Sequence, residues 1–297
     1  MPSWTVDTPV TMDFGDVTEL NVRLIGGTVA VLATGDRPSL TVSEVKGRPL
    51  RVEHDDGRLT VSYETLTWDR LLEFLMPCND RAGVTVTVPA GCPLRLGVVG
   101  ASALVSGLTA GASVKGVSGD ITLDGLTGDV TANTVSGELL ARDIDGTIRF
   151  ASVSGGLTLA DSAIGSLTAE SVNGQVTADV TLDADGGMQV STVSGEVMLR
   201  LPSDADAAIR LSSVAGPVRS DFGSLRTGKF PGTHTVDGNV GAGTAQVAVS
   251  TVSGPITLLR RTVRPEGENP PGFPRRSAGD TRAEPPHAQA GTESETP

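Results

Sequence analysis

Residues 134–156 read TVSGELLARDIDGTIRFASVSGG, with Val-Ser-Gly near both ends and a weaker echo, Ile-Asp-Gly, at 144–146. Val117-Ser118-Gly119, Val135-Ser136-Gly137 and Val153-Ser154-Gly155 stand 18 residues apart, and Leu126-Thr127-Gly128 and Ile144-Asp145-Gly146 fall midway between them. The series continues, with insertions, through Val172-Asn173-Gly174, Val193-Ser194-Gly195, Val214-Ala215-Gly216 and Val252-Ser253-Gly254. Between these triplets the apolar residues step by two, as in Ile121 and Leu123 or Ile148 and Phe150. A step of two keeps side chains on one face of a strand. Steps of three and four, as from Val117 to Ile121, carry the chain around a bend where glycine relaxes the limit on φ. On this spacing Val117, Val135 and Val153 count with the inward set.

Each unit of about nine residues is therefore a strand plus a corner. Two unlike corners per 18 residues mean two strands per coil, which favours stacked coils over an antiparallel meander. The spacing predicts an all-β, flattened parallel β-solenoid over residues 95–261, with Gly119, Gly137, Gly155, Gly174, Gly195 and Gly254 as structural corners. Eight or nine coils, roughly 4.8 Å apart, are expected. The insertions near Ala163, at TLDADGG and at LPSDADAA should bulge outward.

Composition agrees with a slim aliphatic interior. Only 3% of the 297 residues are aromatic, so Val, Leu, Ile and Ala must fill the core, and 37 glycines serve the corners. The net charge of −12 argues against nucleic acid or an anionic membrane surface as a partner. No run of 18 apolar residues predicts a membrane span. The opening MPSWTVDTPVTMDFGD lacks a basic n-region and an apolar h-region, so the chain reads as cytoplasmic. Cys78 and Cys92 are then read as two free thiols, although one disulfide between them stays open.

The repeated TVSG corners, each followed by a strand, and the closing GAGTAQVAVSTVSGPITLLRR resemble the bacterial putative-adhesin family of β-strand-repeat proteins, a domain of unknown function. The resemblance covers roughly residues 20–261. It implies a surface or binding role and brings no catalytic element.

Residues 1–94 are strand-rich without the strict period and read as an N-terminal cap. LRVEHDDGRLTVSYE, residues 50–64, predicts a hairpin turning at Asp56-Gly57. TLTWDRLLEFLM, residues 65–76, carries Trp68, Leu71, Leu72, Leu75 and Met76 at helical spacing. A short amphipathic helix near 66–76 would close the hydrophobic end or serve as a docking surface for a partner. Residues 262–297, rich in Pro, Glu and Ser, predict a disordered tail.

The search for chemistry yields no catalytic, cofactor or metal site. His54, His234 and His287 lie on a predicted hairpin, in a predicted loop and in the tail, and no two have ligand spacing. GSLRTGKF, residues 223–230, has Gly223, Gly228 and Lys229 in the pattern of a phosphate loop, but Phe230 replaces the hydroxyl residue and no helix pattern follows. LDADGG, residues 182–187, matches the middle of a calcium loop, while Thr181 and Thr192 replace its first and last carboxylates. An acidic solvent loop is the preferred reading there.

The outward strand centres run Thr122, Leu140, Thr158, Thr177, Met198, Thr257 on one face and Thr131, Arg149, Thr168, Gln189, Arg210, Ala248 on the other. Leu140 and Met198, with the Trp68 segment, are the candidate partner contacts. The function expected is a non-enzymatic β-solenoid scaffold or adhesin-like module for protein–protein contact or self-association. Two alternatives are weighed: a carbohydrate-active β-helix enzyme using Asp120, Asp124, Glu138, Arg142 and Arg149, and a regulatory partner of an envelope-stress system.

Overall fold

A computed structural model describes residues 2–35, 37–63, 80–230 and 232–261, of which the side chains of Lys229 and Phe230 are left aside. The helix expected near 66–76, Cys78 and the tail 262–297 lie outside the described residues. Met1–Thr262 forms one compact unit.

Every regular element among the described residues is a strand, and the long ones bend once to serve two ladders. Along the first ladder the buried file is Leu20, Leu94, Ala112, Val130, Ile148, Leu167, Met188, Val247 and Ile209. Along the second it is Val29, Ala103, Ile121, Leu139, Leu157, Val176, Val197 and Ile256, ending at half-buried Val218. All these pairings are parallel. The two files face one another across a single aliphatic core, and each fully buried Val or Leu contributes roughly 1.5–3 kcal/mol.

The coil order departs from the chain order. Ala245–Thr251 and Ile256–Arg261 insert between the coil containing Val197–Pro202 and the coil of Ala207–Ser213 and Val218–Ser220. The glycine-corner series 174, 195, 216, 254 therefore stacks as 174, 195, 254, 216. A period in sequence specifies that coils stack, but any coil with the same profile fits any slot.

The chain makes a similar excursion at the other end. Glu19–Ala33 pairs in parallel with Leu94–Ser106, so one coil of the stack comes from within residues 1–94. Between them the chain runs outward through Ser39–Lys46, Leu50–Asp55, Arg58–Tyr63 and Arg81–Val88. Leu50–Asp55 and Arg58–Tyr63 form the expected hairpin, and Asp56 and Gly57 take φ of 46° and 76°, as a tight two-residue turn requires. Both ends change from parallel to antiparallel pairing: at one, Thr233–Val240 pairs with Ala207–Ser213 and the five-residue Arg226–Phe230 lies outside it, and at the other Ser3–Val6 and Val10–Asp13 are the four-residue outer strands. Short edge strands limit the surface open to a foreign strand.

The corner motif is explained position by position. The first hydroxyl points inward and accepts from the glycine amide three residues on: Gly155 N–H to Ser152 Oγ at 2.7 Å, Gly174 to Ser171 at 2.8 Å, Gly195 to Thr192 at 2.8 Å, Gly254 to Thr251 at 3.0 Å. The third residue, Ser, hydrogen-bonds to the coil before it. The fourth is glycine because a Cβ on Gly137, Gly155, Gly174, Gly195, Gly254 or Gly216 would fall on the carbonyl oxygen of the glycine in the coil next to it. Conformational freedom is a second reason only at Gly119 and Gly137, whose φ is 110° and 111°. Gly155, Gly174, Gly195, Gly216 and Gly254 are required by close approach alone.

Candidate binding surface

The second motif position overturns the inward reading of the corner valines. Strand alternation runs through 130, 132 and 134, so Thr134 takes the inward place and Val135 turns to solvent. The signal was present in the sequence: Ser or Thr precedes the valine at 134, 152, 171, 192, 213 and 251, in phase with the buried strand positions. Val135, Val153, Val172, Val193, Val214 and Val252 are each 43–50% exposed, and Val99 and Val117 are half-buried.

These valines form one file. Each carbonyl accepts the amide of the motif's third residue in the next coil: Ser118 to Val99 at 2.7 Å, Ser136 to Val117 at 2.8 Å, Ser154 to Val135, Asn173 to Val153, Ser194 to Val172 and Ser253 to Val193 at 2.9 Å, and Ala215 to Val252 at 2.8 Å. The file is thus Val99, 117, 135, 153, 172, 193, 252, 214. It is a narrow apolar ridge along one edge of the solenoid.

The predicted contacts are dispersed. Leu140 is exposed and Met198 half-buried, and they belong to one column that runs Leu104, Thr122, Leu140, Thr158, Thr177, Met198, Thr257, Arg219. Two threonine-bearing strands separate Leu140 from Met198, roughly 14 Å at strand spacing. Exposed Leu104, next to Thr122, lines a shallow groove with Val29, Ala30 and Val84. Trp68, Leu71, Leu72 and Leu75 lie outside the described residues.

Of the charges weighed for catalysis, Asp120, Asp124 and Arg142 are engaged between coils. Arg142 donates from Nε to Asp124 Oδ1 at 2.9 Å, and Asp120 Oδ1 accepts the Glu138 amide at 3.1 Å. Buried Asp179 joins Arg200 and Arg261, with Arg261 Nη1 3.0 Å from its Oδ1. Arg149 lies on the opposite face from Arg142, since it follows the first ladder.

The remaining candidates are placed as follows. The 182–187 loop sits within the long strand Val176–Thr192, where exposed Asp183 shares a groove with Asp204 and Asp206. Among the described residues no three His, Cys, Asp or Glu side chains gather as metal ligands. Arg226–Phe230 is a strand paired antiparallel with Thr233–Val240, a hairpin in place of a phosphate loop and helix. His234 lies on that second strand, a correction to the expected loop. His54 packs edge-on to Phe14, with its Nε2 3.2 Å from the Asp16 carbonyl. Cys92 is a free, buried thiol, and burial followed by the charge of Glu19 pushes its pKa up to about 11.

A flattened parallel solenoid with one apolar edge defines the class as an all-β repeat protein. The chain belongs to the Toastrack family, DUF4097, whose model matches residues 17–259. No curated protein sequence matches it. Among solved structures it is similar to a putative adhesin from Bacteroides fragilis, at 13% identity and a TM-score of 0.45 over 84% of this chain and 97% of that one. It is also similar to a putative lipid binding protein from Parabacteroides distasonis, at 10% identity and a TM-score of 0.41 over 86% and 97%. A putative adhesin from the same organism matches at 11% identity and a TM-score of 0.33 over 86% and 96%. No helix among the described residues is long and apolar enough to cross a membrane.

Proposed function

We propose that the protein is a non-enzymatic scaffold that binds protein through the long face carrying Leu140 and Met198 and through its valine edge, acting in the cytoplasm. The observation that carries this reading is how the charged repeat residues are used: Asp124 with Arg142 and Asp120 with the Glu138 amide tie coils together and do not converge on a cleft. An enzyme needs a nucleophile or acid–base pair aimed at one point in space. The buried free thiol of Cys92 supports a reducing compartment. Binding to flat repeats works by geometry, because stacked coils hold surface groups at a fixed interval with little ordering cost on contact.

The test is site-specific photo-crosslinking of the full chain in its native host. Probes at Leu140, Val153 and Met198 should yield discrete protein adducts, while a probe at Gln189 on the opposite face serves as the comparison. Uniform labelling at all four sites, or polysaccharide cleavage that disappears in Asp124→Asn, would overturn the reading.

A further inference from the structure

We propose that the valine ridge is a self-association seam, along which two copies of this chain pair side by side with their coils running the same way. This deepens the scaffold reading and rests on it.

Three of the four motif positions have an internal task, and the exposed valine has none that its neighbours demand. The inner hydroxyl caps the corner, the outer serine bonds the adjacent coil, and the glycine permits the stack. Yet valine stands at all eight ridge positions, whereas the outward column on the second ladder varies among Leu, Thr, Met and Arg. Five of the eight ridge carbonyls also accept two hydrogen bonds from within, and those of Val153 and Val252 accept one. Val117 O accepts both the amide and the hydroxyl of Ser136, at 2.8 and 3.1 Å, and Val135 O accepts both from Ser154, at 2.9 and 3.1 Å. The same pair of hydrogen bonds is donated by Ser118, Ser194 and Ser253 to the carbonyls of Val99, Val172 and Val193. A surface whose polar atoms are already paired loses little when water leaves it, and its methyl groups gain.

The occupant follows from period and charge. Eight valines separated by strand spacing extend roughly 34 Å. A second copy repeats at that interval and can match every step. On one flank of the ridge stand Asp120, Glu138 and Glu196; on the other stand Lys115, Asn133, Ala151, Glu170 and Ser191. A two-fold axis perpendicular to the ridge would oppose the acidic flanks. An axis along the ridge sets each acidic flank against the mixed one and brings Lys115 opposite Asp120 of the second copy twice, since both belong to one corner. A strip of this length with one flanking row on each side covers on the order of 1,000 Å² in total, the lower bound for a specific interface. The dimer is therefore weak and reversible.

Sedimentation of the full chain from low micromolar to millimolar concentration tests this. The wild type should show a reversible dimer. Val135→Thr/Val153→Thr/Val172→Thr, which keeps the branched shape and adds hydroxyls, should weaken it at least about tenfold while the melting curve shows a folded protein. Lys115→Glu should weaken the dimer, and Lys115→Glu combined with Asp120→Lys should restore it. A wild type that stays monomeric at every concentration overturns the seam, and so does a dimer untouched by the three threonines. In both cases the scaffold reading is judged separately by the crosslinking probes at Leu140 and Met198, which lie off the ridge and read foreign partners.

Discussion

The carbonyl oxygen of Gly195 occupies the space that a Cβ on Gly254 would need, although a full excursion of the chain separates the two residues. One coil is formed by the end of the described chain and slides between two coils formed earlier. The glycine file is continuous through it, and so is the valine ridge.

The glycine file is the most sensitive part of the corner. Gly195→Ala should destabilise the protein by at least about 2 kcal/mol, because the new methyl meets backbone that the stack holds in place. Gly187→Ala, with nothing within 4 Å of its added carbon, is the control and should be nearly neutral. Urea unfolding of both variants checks this.

The two hydroxyl files should differ in weight. Ser171 is buried and accepts the Gly174 amide at 2.8 Å, so Ser171→Ala leaves a buried donor unpaired and should cost about 1–3 kcal/mol. Ser154→Ala removes a hydroxyl from an exposed position whose carbonyl partner, Val135, keeps the Ser154 amide. It should cost about 0.5 kcal/mol. Thermal melts of the two variants give the comparison.

Asp179 fastens the inserted coil. It bridges Arg200 on the neighbouring strand and Arg261 at the end of Ile256–Arg261, and Arg261 also donates to Thr181 Oγ1 at 2.9 Å. Asp179→Ala should cost about 1–2 kcal/mol, discounted because the Arg200 side chain is half exposed. Hydrogen exchange should accelerate first in residues 256–261, where the clamp acts.

Asp80 supplies an acid-sensitive contact. Burial by itself would raise its pKa, but hydrogen bonds from the Arg48 amide and Nε, both at 2.8 Å, outweigh burial and hold the carboxyl below its ordinary value. A carboxylate depressed on folding stabilises the native state fully above its unfolded pKa, near 3.9, and the contribution disappears as pH falls through the lower folded value. Stability should drop below about pH 4, and Asp80→Asn should flatten that part of the profile in urea titrations at several pH values.

Cys92 should resist alkylation. With its thiol pushed up to about 11 and buried, little thiolate forms at pH 8. In Cys78→Ser, iodoacetamide labelling should wait for unfolding; prompt labelling of the native protein would contradict the burial.

The repeat was legible because a solenoid writes its geometry locally. A nine-residue strand and corner, glycine at the tight approach and a period of 18 follow from contacts between neighbouring coils, and every coil repeats them. The phase of the corner valine was harder to read. Val135 lies three residues after Ala132, a step that suits either a bend with valine inside or a strand that carries Thr134 inside. The inward hydroxyl wins because it serves the backbone of the corner, Thr134 by donating to the Ser136 carbonyl at 3.2 Å and Ser152, Ser171 and Thr192 by accepting the glycine amide, bonds visible only once the corner is built. The Trp68 segment, in contrast, lies outside the described residues and keeps its sequence-based reading.

The sequence by itself determined that coils stack in parallel around a thin aliphatic core, because like residues recur at the interval that stacking requires. Only the tertiary structure decided the order of those coils, the outward turn of the valines and the use of Asp179 to lock the inserted one. Coils of matching profile are interchangeable in any one-dimensional pattern. Their order is chosen by the hairpins at each end and by ion pairs between residues that the chain itself keeps far apart.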